Sequence, residues 1–205
     1  GPVRTKFPIY SNSLPPCNHA CPTGSNIQEW LSLAQSEQYE EAFQALIKNN
    51  PMPAIHGRVC YHPCESACNR ANVDQAVSIH AVERFLGDQA LEKKWPVRFD
   101  AEPTGKRVLI IGAGPSGLAT AYHLKRKGHD VEIRDAAPMA GGMMHFGIPA
   151  YRLPRDILEN EIARIEAMGI KIVLNHKVED LLAEKVKGKF DAVFLAIGAH
   201  VGRGV

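Results

Sequence analysis

The chain has 205 residues, 45% of them hydrophobic and 22% charged, with a formal net charge of +2. This is the balance of an ordinary soluble globular protein, and it gives no polybasic footprint for a nucleic acid or an anionic membrane surface. Every apolar run is broken by Gly, Pro or charge well short of bilayer length, and Gly1-Pro2-Val3-Arg4 has no secretory hydrophobic region.

In chain order, residues 1–24 are rich in Pro, Ser and Asn and read as extended arm and loop. Ser25-Asn26-Ile27-Gln28 has the spacing of a capping box, with Ser25 and Gln28 bonding each other's backbone amides. Ile27, Trp30, Leu31 and Ala34 then continue at helical spacing. A second helical pattern runs through Ala42, Phe43, Leu46 and Ile47 and stops at Asn49-Asn50-Pro51, and a third runs from Ile79 to Leu91. No convincing strand precedes residue 94. Residues 95–106 carry no periodicity and are predicted to be a linker.

Beyond the linker the pattern changes. Arg107–Ile111 is a buried-strand run, Leu118–Lys127 a helix closed by Gly128, and Val131–Arg134 a second strand. Arg155–Met168 reads as a helix closed by Gly169, followed by strands at Ile170–Leu174 and Asp191–Ile197. Strands alternating with helices predict a parallel sheet. The expected architecture is an α-helical metal domain at 1–94 followed by an incomplete α/β Rossmann-like domain at 107–205. No internal repeat is present.

Gly112-Ala113-Gly114-Pro115-Ser116-Gly117 sits between the first strand and its helix, where GxGxxG places a pyrophosphate on a helix N-terminus. Gly112 allows the tight turn, Gly114 lets the backbone approach the phosphates, and Gly117 lets helix and strand pack closely. An acid is expected about twenty residues on, at the end of the second strand, to bond a ribose hydroxyl, and Asp135 stands there. An acid at that position favours the unphosphorylated ribose of FAD or NAD.

All five cysteines lie in the first third of the chain: Cys17 and Cys21, then Cys60, Cys64 and Cys68. An odd number argues against a closed disulfide framework. Without an export signal the thiols are expected to stay reduced, as in the cytoplasm, where clustered cysteines are metal ligands or catalytic groups. No Cys-x-x-Cys redox pair exists. Cysteines grouped in this way suggest a metal cluster, and their spacing does not exclude zinc, with His19 and His62 nearby. His19, His56, His62 and His80 read as surface residues or as neighbours of the site, not as ligands.

Two stretches carry a family resemblance. Gly141-Gly142-Met143-Met144, followed by Phe146-Gly147-Ile148-Pro149 and Arg152-Leu153-Pro154, resembles the FAD-binding part of the glutamate synthase small subunit and of dihydropyrimidine dehydrogenase. Cys17-x3-Cys21-Pro22 and Gly57-Arg58-Val59-Cys60, with Pro63-Cys64-Glu65 and Cys68, resemble the iron–sulfur domain preceding it. The resemblance implies FAD on Gly112, Gly114, Pro115, Ser116, Gly117, Asp135, Gly142, Met143, Arg152 and Val178. Arg152 would lie near the diphosphate or flavin, and Val178 would meet the adenine through its backbone. It also implies a cluster domain whose metal residues are drawn from Cys17, Cys21, Cys60, Cys64 and Cys68.

Relatives with two [4Fe-4S] clusters have two further cysteines shortly before the position of Cys17, and here Pro8 to Pro16 contains none. Two all-cysteine clusters need eight thiolates, so one [4Fe-4S] cluster is expected. By the resemblance Cys21, Cys60 and Cys64 are its firmest ligands, and Cys17, Cys68 or Glu83 supplies the fourth. The implied function is electron transfer between NAD(P)H, flavin and the cluster, to or from an electron-transfer partner or a larger oxidoreductase subunit. No residue is required as a general acid or nucleophile, so none is expected to be catalytic. With one dinucleotide loop, the chain reads as a fragment without the NAD(P) domain. A non-catalytic adaptor with a structural zinc is the alternative.

Overall fold

A computed structural model describes residues 14–199. The first thirteen residues of the arm and loop expected over 1–24 therefore lie outside the described residues. Six helices come first: α1 Pro16–Ala20, α2 Ile27–Gln35, α3 Tyr39–Leu46, α4 Pro53–Val59, α5 Pro63–Ser66 and α6 Ile79–Glu92. A single 3-10 turn, Asn69–Asn72, sits between α5 and α6. The second half runs β1 Arg107–Ile111, α7 Pro115–Lys125, β2 Asp130–Arg134, α8 Met143–Phe146, α9 Arg155–Glu166, β3 Lys171–Val173, α10 Leu181–Lys187 and β4 Ala192–Leu195. The architecture is thus a helical region followed by a Rossmann-like α/β segment.

The four strands form one parallel sheet in the order β3-β2-β1-β4. Successive side chains of a strand point to opposite faces, and both faces of β1 are covered. Val108 and Ile110 enter the main core, while Leu109 and Ile111 pack with Phe190 on the other side. Burial on both faces is why β1 reads as a continuous apolar run.

The helical head and the sheet share that main core. Phe43, Ile47, Met52 and Ile55 pack in one cluster with Leu118, Tyr122, Leu158 and Ile165. A fully buried side chain of this kind contributes about 1.5–3 kcal/mol. A hydrogen bond across the same seam, such as Tyr122 Oη donating to the Ile47 carbonyl at 2.8 Å, adds a net ~1 kcal/mol. Apolar burial therefore dominates the union of the two halves. Residues 95–106 have no regular structure, yet Trp95 packs on Phe43 with ring centroids 5.8 Å apart. Gln44 Nε2 donates to the Pro96 carbonyl at 2.7 Å, and Arg98 pairs with Glu40.

Within the head, α4 crosses α6 at backbone contact. A Cβ on Gly87 would lie 2.3 Å from the Ala54 nitrogen, and one on Gly57 would lie 2.6 Å from the Arg84 backbone. Only glycine fits at both points, so two helices meet where side chains would normally hold them 8–10 Å apart.

Two local expectations are corrected. The capping box does not form: Ser25 is buried, and its hydroxyl accepts the Trp30 indole N–H at 3.2 Å. The amide of Gln28 donates instead to Asn18 Oδ1 of α1 at 3.2 Å. The first turn of α2 is capped by a neighbouring helix because the indole had already taken the local acceptor. The second correction concerns the loop expected over residues 1–24, whose described part contains α1. Pro16 opens that helix, where its missing N–H costs nothing.

Candidate functional site: a thiol cluster and a glycine loop

The glycine loop lies at the carboxyl end of β1, the end at which open parallel sheets hold their ligands. Gly112 has φ +112°, and a Cβ there would meet the Ala196 carbonyl oxygen at 2.2 Å. A Cβ on Gly117 would lie 1.9 Å from the Gly112 oxygen. Both glycines are required by the fold itself.

Gly114 is different. Its φ of −77° and ψ of −176° suit any residue, and an added Cβ would find only the Gly142 Cα at 3.9 Å. Neither backbone strain nor crowding among the described residues asks for glycine here. The space it leaves is on the open side of the loop, where Pro115 and Ser116 are exposed. No side chain caps the N-terminus of α7, and its first turn carries no acid. The free amides and the positive end of the helix dipole suit an anionic group such as a diphosphate.

Asp135 follows β2 and buttresses this loop. Its Oδ2 accepts the Ala113 N–H at 2.6 Å and its Oδ1 the Ala137 N–H at 2.7 Å. The acid expected at the ribose is therefore already holding the turn, with capacity on each oxygen for one further hydrogen bond. The Gly141–Gly142 pair hangs on the same turn, since the Gly141 N–H donates to the Ala113 carbonyl at 2.8 Å. Gly142, at φ +53°, approaches Gly114 so closely that its Cβ would sit 2.8 Å from the Gly114 Cα. Met143 is exposed beside it. Arg152 is exposed too, and its side chain makes no hydrogen bond or ion pair among the described residues. Val178 packs on the Leu109–Ile111–Phe190 side of the sheet.

In the head, all five thiols are free. Cys64 on α5 is buried in an apolar cluster with Ile27, Trp30, Ile79 and Leu86, against which Cys17 and Cys21 also pack. Burial pushes the Cys64 thiol up to about 11, and the neighbouring Cys21 and Cys60 push it the same way. Cys64 and Cys21 at this apolar cluster, with Cys60 near enough to raise the Cys64 thiol, offer thiolate donors of the kind that hold a cationic centre such as iron. Cys60 Sγ also accepts the His62 backbone N–H at 3.3 Å.

The other three candidates differ in setting. Cys68 is half-buried, and the Val77 amide at its sulfur, against a smaller burial effect and helped by the Arg70 and Ala71 amides, holds its thiol below the ordinary range. Cys17 opens on an apolar groove with Leu31, Tyr39, Val82 and Phe85. Glu83 on α6 is buried and takes a hydrogen bond from Asn50 Nδ2. Burial pushes its carboxyl up to about 7, partly offset by that bond. Asn50 in turn accepts the Met52 N–H at 3.2 Å and contacts His56 Nδ1.

A cleft of about 320 Å³ joins the two regions. Thr23, Met52 and His56 line it from the head, and Pro115, Ala119 and His123 line it from α7. Thr23 Oγ1 lies 3.2 Å from Cys21 Sγ, while Pro115 opens the helix of the glycine loop. This cleft was not legible in advance, because its walls come from loop residues of the head, α4 and α7, the two helices lying more than fifty residues apart.

A helical head with five free cysteines, joined to a phosphate-loop segment on a parallel sheet, defines the class: a cysteine-rich helical domain followed by a dinucleotide-binding fold. The family model described as dihydropyrimidine dehydrogenase domain II, 4Fe-4S cluster, matches residues 11–95, and that of an NAD(P)-binding Rossmann-like domain matches residues 110–153. The chain belongs to the glutamate synthase small chain and dihydropyrimidine dehydrogenase-like family. It is 40% identical to the glutamate synthase [NADPH] small chain of Bacillus subtilis, over 89% of this chain and 38% of that one. It is 38% identical to the NADP(+)-dependent formate dehydrogenase subunit beta of Moorella thermoacetica, over 90% of this chain and 29% of that one. To the NAD-dependent dihydropyrimidine dehydrogenase subunit PreT of Salmonella typhimurium it is 33% identical, over 93% and 47%. The chain thus spans less than half the length of each of these relatives. No helix among the described residues is long and apolar enough to cross a membrane.

Proposed function

We propose that this chain is the electron-transferring front part of an FAD- and iron–sulfur-dependent NAD(P)H oxidoreductase. Its two units are a cluster domain over residues 1–94 and the first part of an FAD-binding domain over 107–205. The observation that carries the reading is the cleft between Thr23, beside Cys21, and Pro115, at the glycine loop. Thr23, the neighbour of Cys21, and Pro115 of the glycine loop line one space within halves that share a core, which supports the reading.

Cys21, Cys60 and Cys64 hold one [4Fe-4S] cluster, with the fourth position taken by Cys17, Cys68 or Glu83. Gly112, Gly114, Pro115, Ser116 and Gly117 receive the FAD diphosphate on backbone amides. Asp135 offers the remaining hydrogen-bond capacity of its oxygens to the ribose, and Gly142 and Met143 border the same space. Arg152, free of protein partners, supplies a mobile positive charge, and Val178 lines the adenine side. When bound, the flavin exchanges electron pairs with a nicotinamide and single electrons with the cluster. The chain's own task is to hold both groups, exclude water and fix their separation. The partner is a larger oxidoreductase subunit or an electron-transfer protein, as the subunit and small-chain names of the relatives suggest, and the free thiols fit a cytoplasmic setting.

Anaerobic purification, a visible spectrum and a metal assay test this. The expected result is flavin absorbance together with iron at about four per chain. Stoichiometric zinc with neither flavin nor iron would overturn it in favour of the structural-zinc adaptor.

A further inference from the structure

We propose that His62, Glu65 and His80 form a second metal site in the head, distinct from the thiols, that takes one divalent transition metal of the Zn²⁺ type. The three residues come from two elements. His62 precedes Pro63 at the start of α5, Glu65 is on α5, and His80 is in the first turn of α6. Their ligand atoms all lie within 4.8 Å of one another.

Two features set this group apart from an ordinary polar surface knot. First, His62 adopts φ +54°, a left-handed conformation uncommon for a residue with a side chain and a reservoir of strain when it persists. That backbone turns its ring onto His80, with centroids 4.4 Å apart. Second, His62 Nε2 is buried and has no hydrogen-bond partner among the described residues. A buried polar atom left unpaired costs about 1–3 kcal/mol, and one that persists in a native fold calls for an ion or a water to satisfy it.

Glu65 is already organised. Its Oε1 accepts the His80 backbone N–H at 2.8 Å and faces His80 Nδ1 at 2.7 Å. Two imidazoles and one carboxylate make the donor set of three-ligand zinc sites, which leave a fourth position to water. Such borderline nitrogen and oxygen donors select Zn²⁺, Co²⁺ or Ni²⁺ over Mg²⁺ or Ca²⁺. Bond lengths near 2.0–2.1 Å put tetrahedral ligand atoms about 3.4 Å apart, so the widest pair must close by up to roughly 1.4 Å, while the 2.7 Å contact of Glu65 Oε1 with His80 Nδ1 gives way. The His80 side chain, 41% exposed, is free to make that movement. One metal dication against one carboxylate leaves a single net positive charge at a half-exposed position, which water can solvate.

The test uses the full chain, anaerobically loaded with iron and sulfide, dialysed free of loose metal and titrated with Co²⁺ while the visible spectrum is followed. One equivalent should bind with the d–d bands of a nitrogen/oxygen site and no near-ultraviolet thiolate charge-transfer band. Zn²⁺ should displace it. His80→Ala and His62→Ala should each weaken binding by about tenfold or more, with iron content and thermal midpoint unchanged. Glu65→Gln, which keeps an acceptor for the His80 amide, should weaken it without disturbing the head. Absence of a Co²⁺ equivalent overturns the proposal, as does a thiolate band on the bound Co²⁺ or full affinity in His80→Ala. The proposal does not depend on what the thiols hold. If they load no iron, their own Co²⁺ shows the thiolate band, and the histidine equivalent is counted separately by its loss in His80→Ala.

Discussion

The Glu161 carboxylate on α9 accepts the backbone N–H of Ala54 on α4 at 2.8 Å, across 107 positions of sequence. Arg164 ion-pairs with the same carboxylate and donates to the Pro51 carbonyl at 2.7 Å. Glu161 is fully buried, so this joint lies inside the seam between the helical head and the sheet. It fixes the start of α4, and therefore the helix that ends in Cys60.

Removing one partner of such a pair leaves a buried charge and an orphaned amide. Glu161→Ala should cost about 3–5 kcal/mol in urea unfolding. Because the two halves share a core, tryptophan fluorescence from Trp30 and circular dichroism from the sheet should still move in one transition. Two separate transitions would show that the joint does not couple the halves.

The glycine loop yields a paired test that separates folding from binding. Gly114→Ala meets nothing closer than 3.9 Å and has an ordinary φ, so its thermal midpoint should match the parent while FAD affinity falls by roughly tenfold or more. Gly117→Ala drives a methyl to 1.9 Å from a carbonyl oxygen and should lose about 1–3 kcal/mol of stability as well. FAD binding unchanged in Gly114→Ala would remove the loop from the diphosphate site. Isothermal titration and a thermal melt read the two effects.

Part of the acid sensitivity should come from the sheet. Burial tends to raise the Glu132 carboxyl, but Arg134 Nε at 2.8 Å and Lys171 Nζ at 3.4 Å outweigh it and hold it below the ordinary range. A depressed folded value means that the stabilisation is fully present above the unfolded value, about 4.3. It is lost as pH falls through the folded one. Glu132→Gln should therefore lower the denaturation midpoint at pH 7, and the gap to the parent should narrow below about pH 4. A gap independent of pH would assign the loss to packing alone.

The cysteines should divide by position. Cys21→Ser, Cys60→Ser and Cys64→Ser should each lose most of the bound iron under anaerobic reconstitution. Cys68→Ser should keep it, since its half-buried sulfur is held by amides outside the trio. Iron retained by Cys64→Ser would disprove the trio as the cluster's core.

Much of the fold could be read in advance. The strand run Arg107–Ile111 coincides with β1, because a strand buried on both faces announces itself as uninterrupted aliphatics. The glycine loop and Asp135 were legible as well, since a strand–turn–helix with an acid after the next strand is a local pattern of fixed spacing. The helix α4 was not read. Pro51, Pro53 and Gly57 break its periodicity, and it is stabilised by the crossing at Gly57 and Gly87, which no local window contains.

The same division runs through the site. The amino-acid sequence by itself determined the donor types, the glycines that a turn demands and the order of strands and helices, all of which follow from spacing within one or two elements. Tertiary structure alone decided the partners. Ser25 serves Trp30 rather than a capping box, Glu83 is engaged by Asn50, and Asp135 supports the loop before it meets any ribose. His62 and His80, eighteen residues apart, are brought ring to ring over Glu65. A hydrogen bond or a coordinate bond forms only at contact distance, and across two elements contact is set by how their apolar faces pack, a property of the whole core and not of any segment in it.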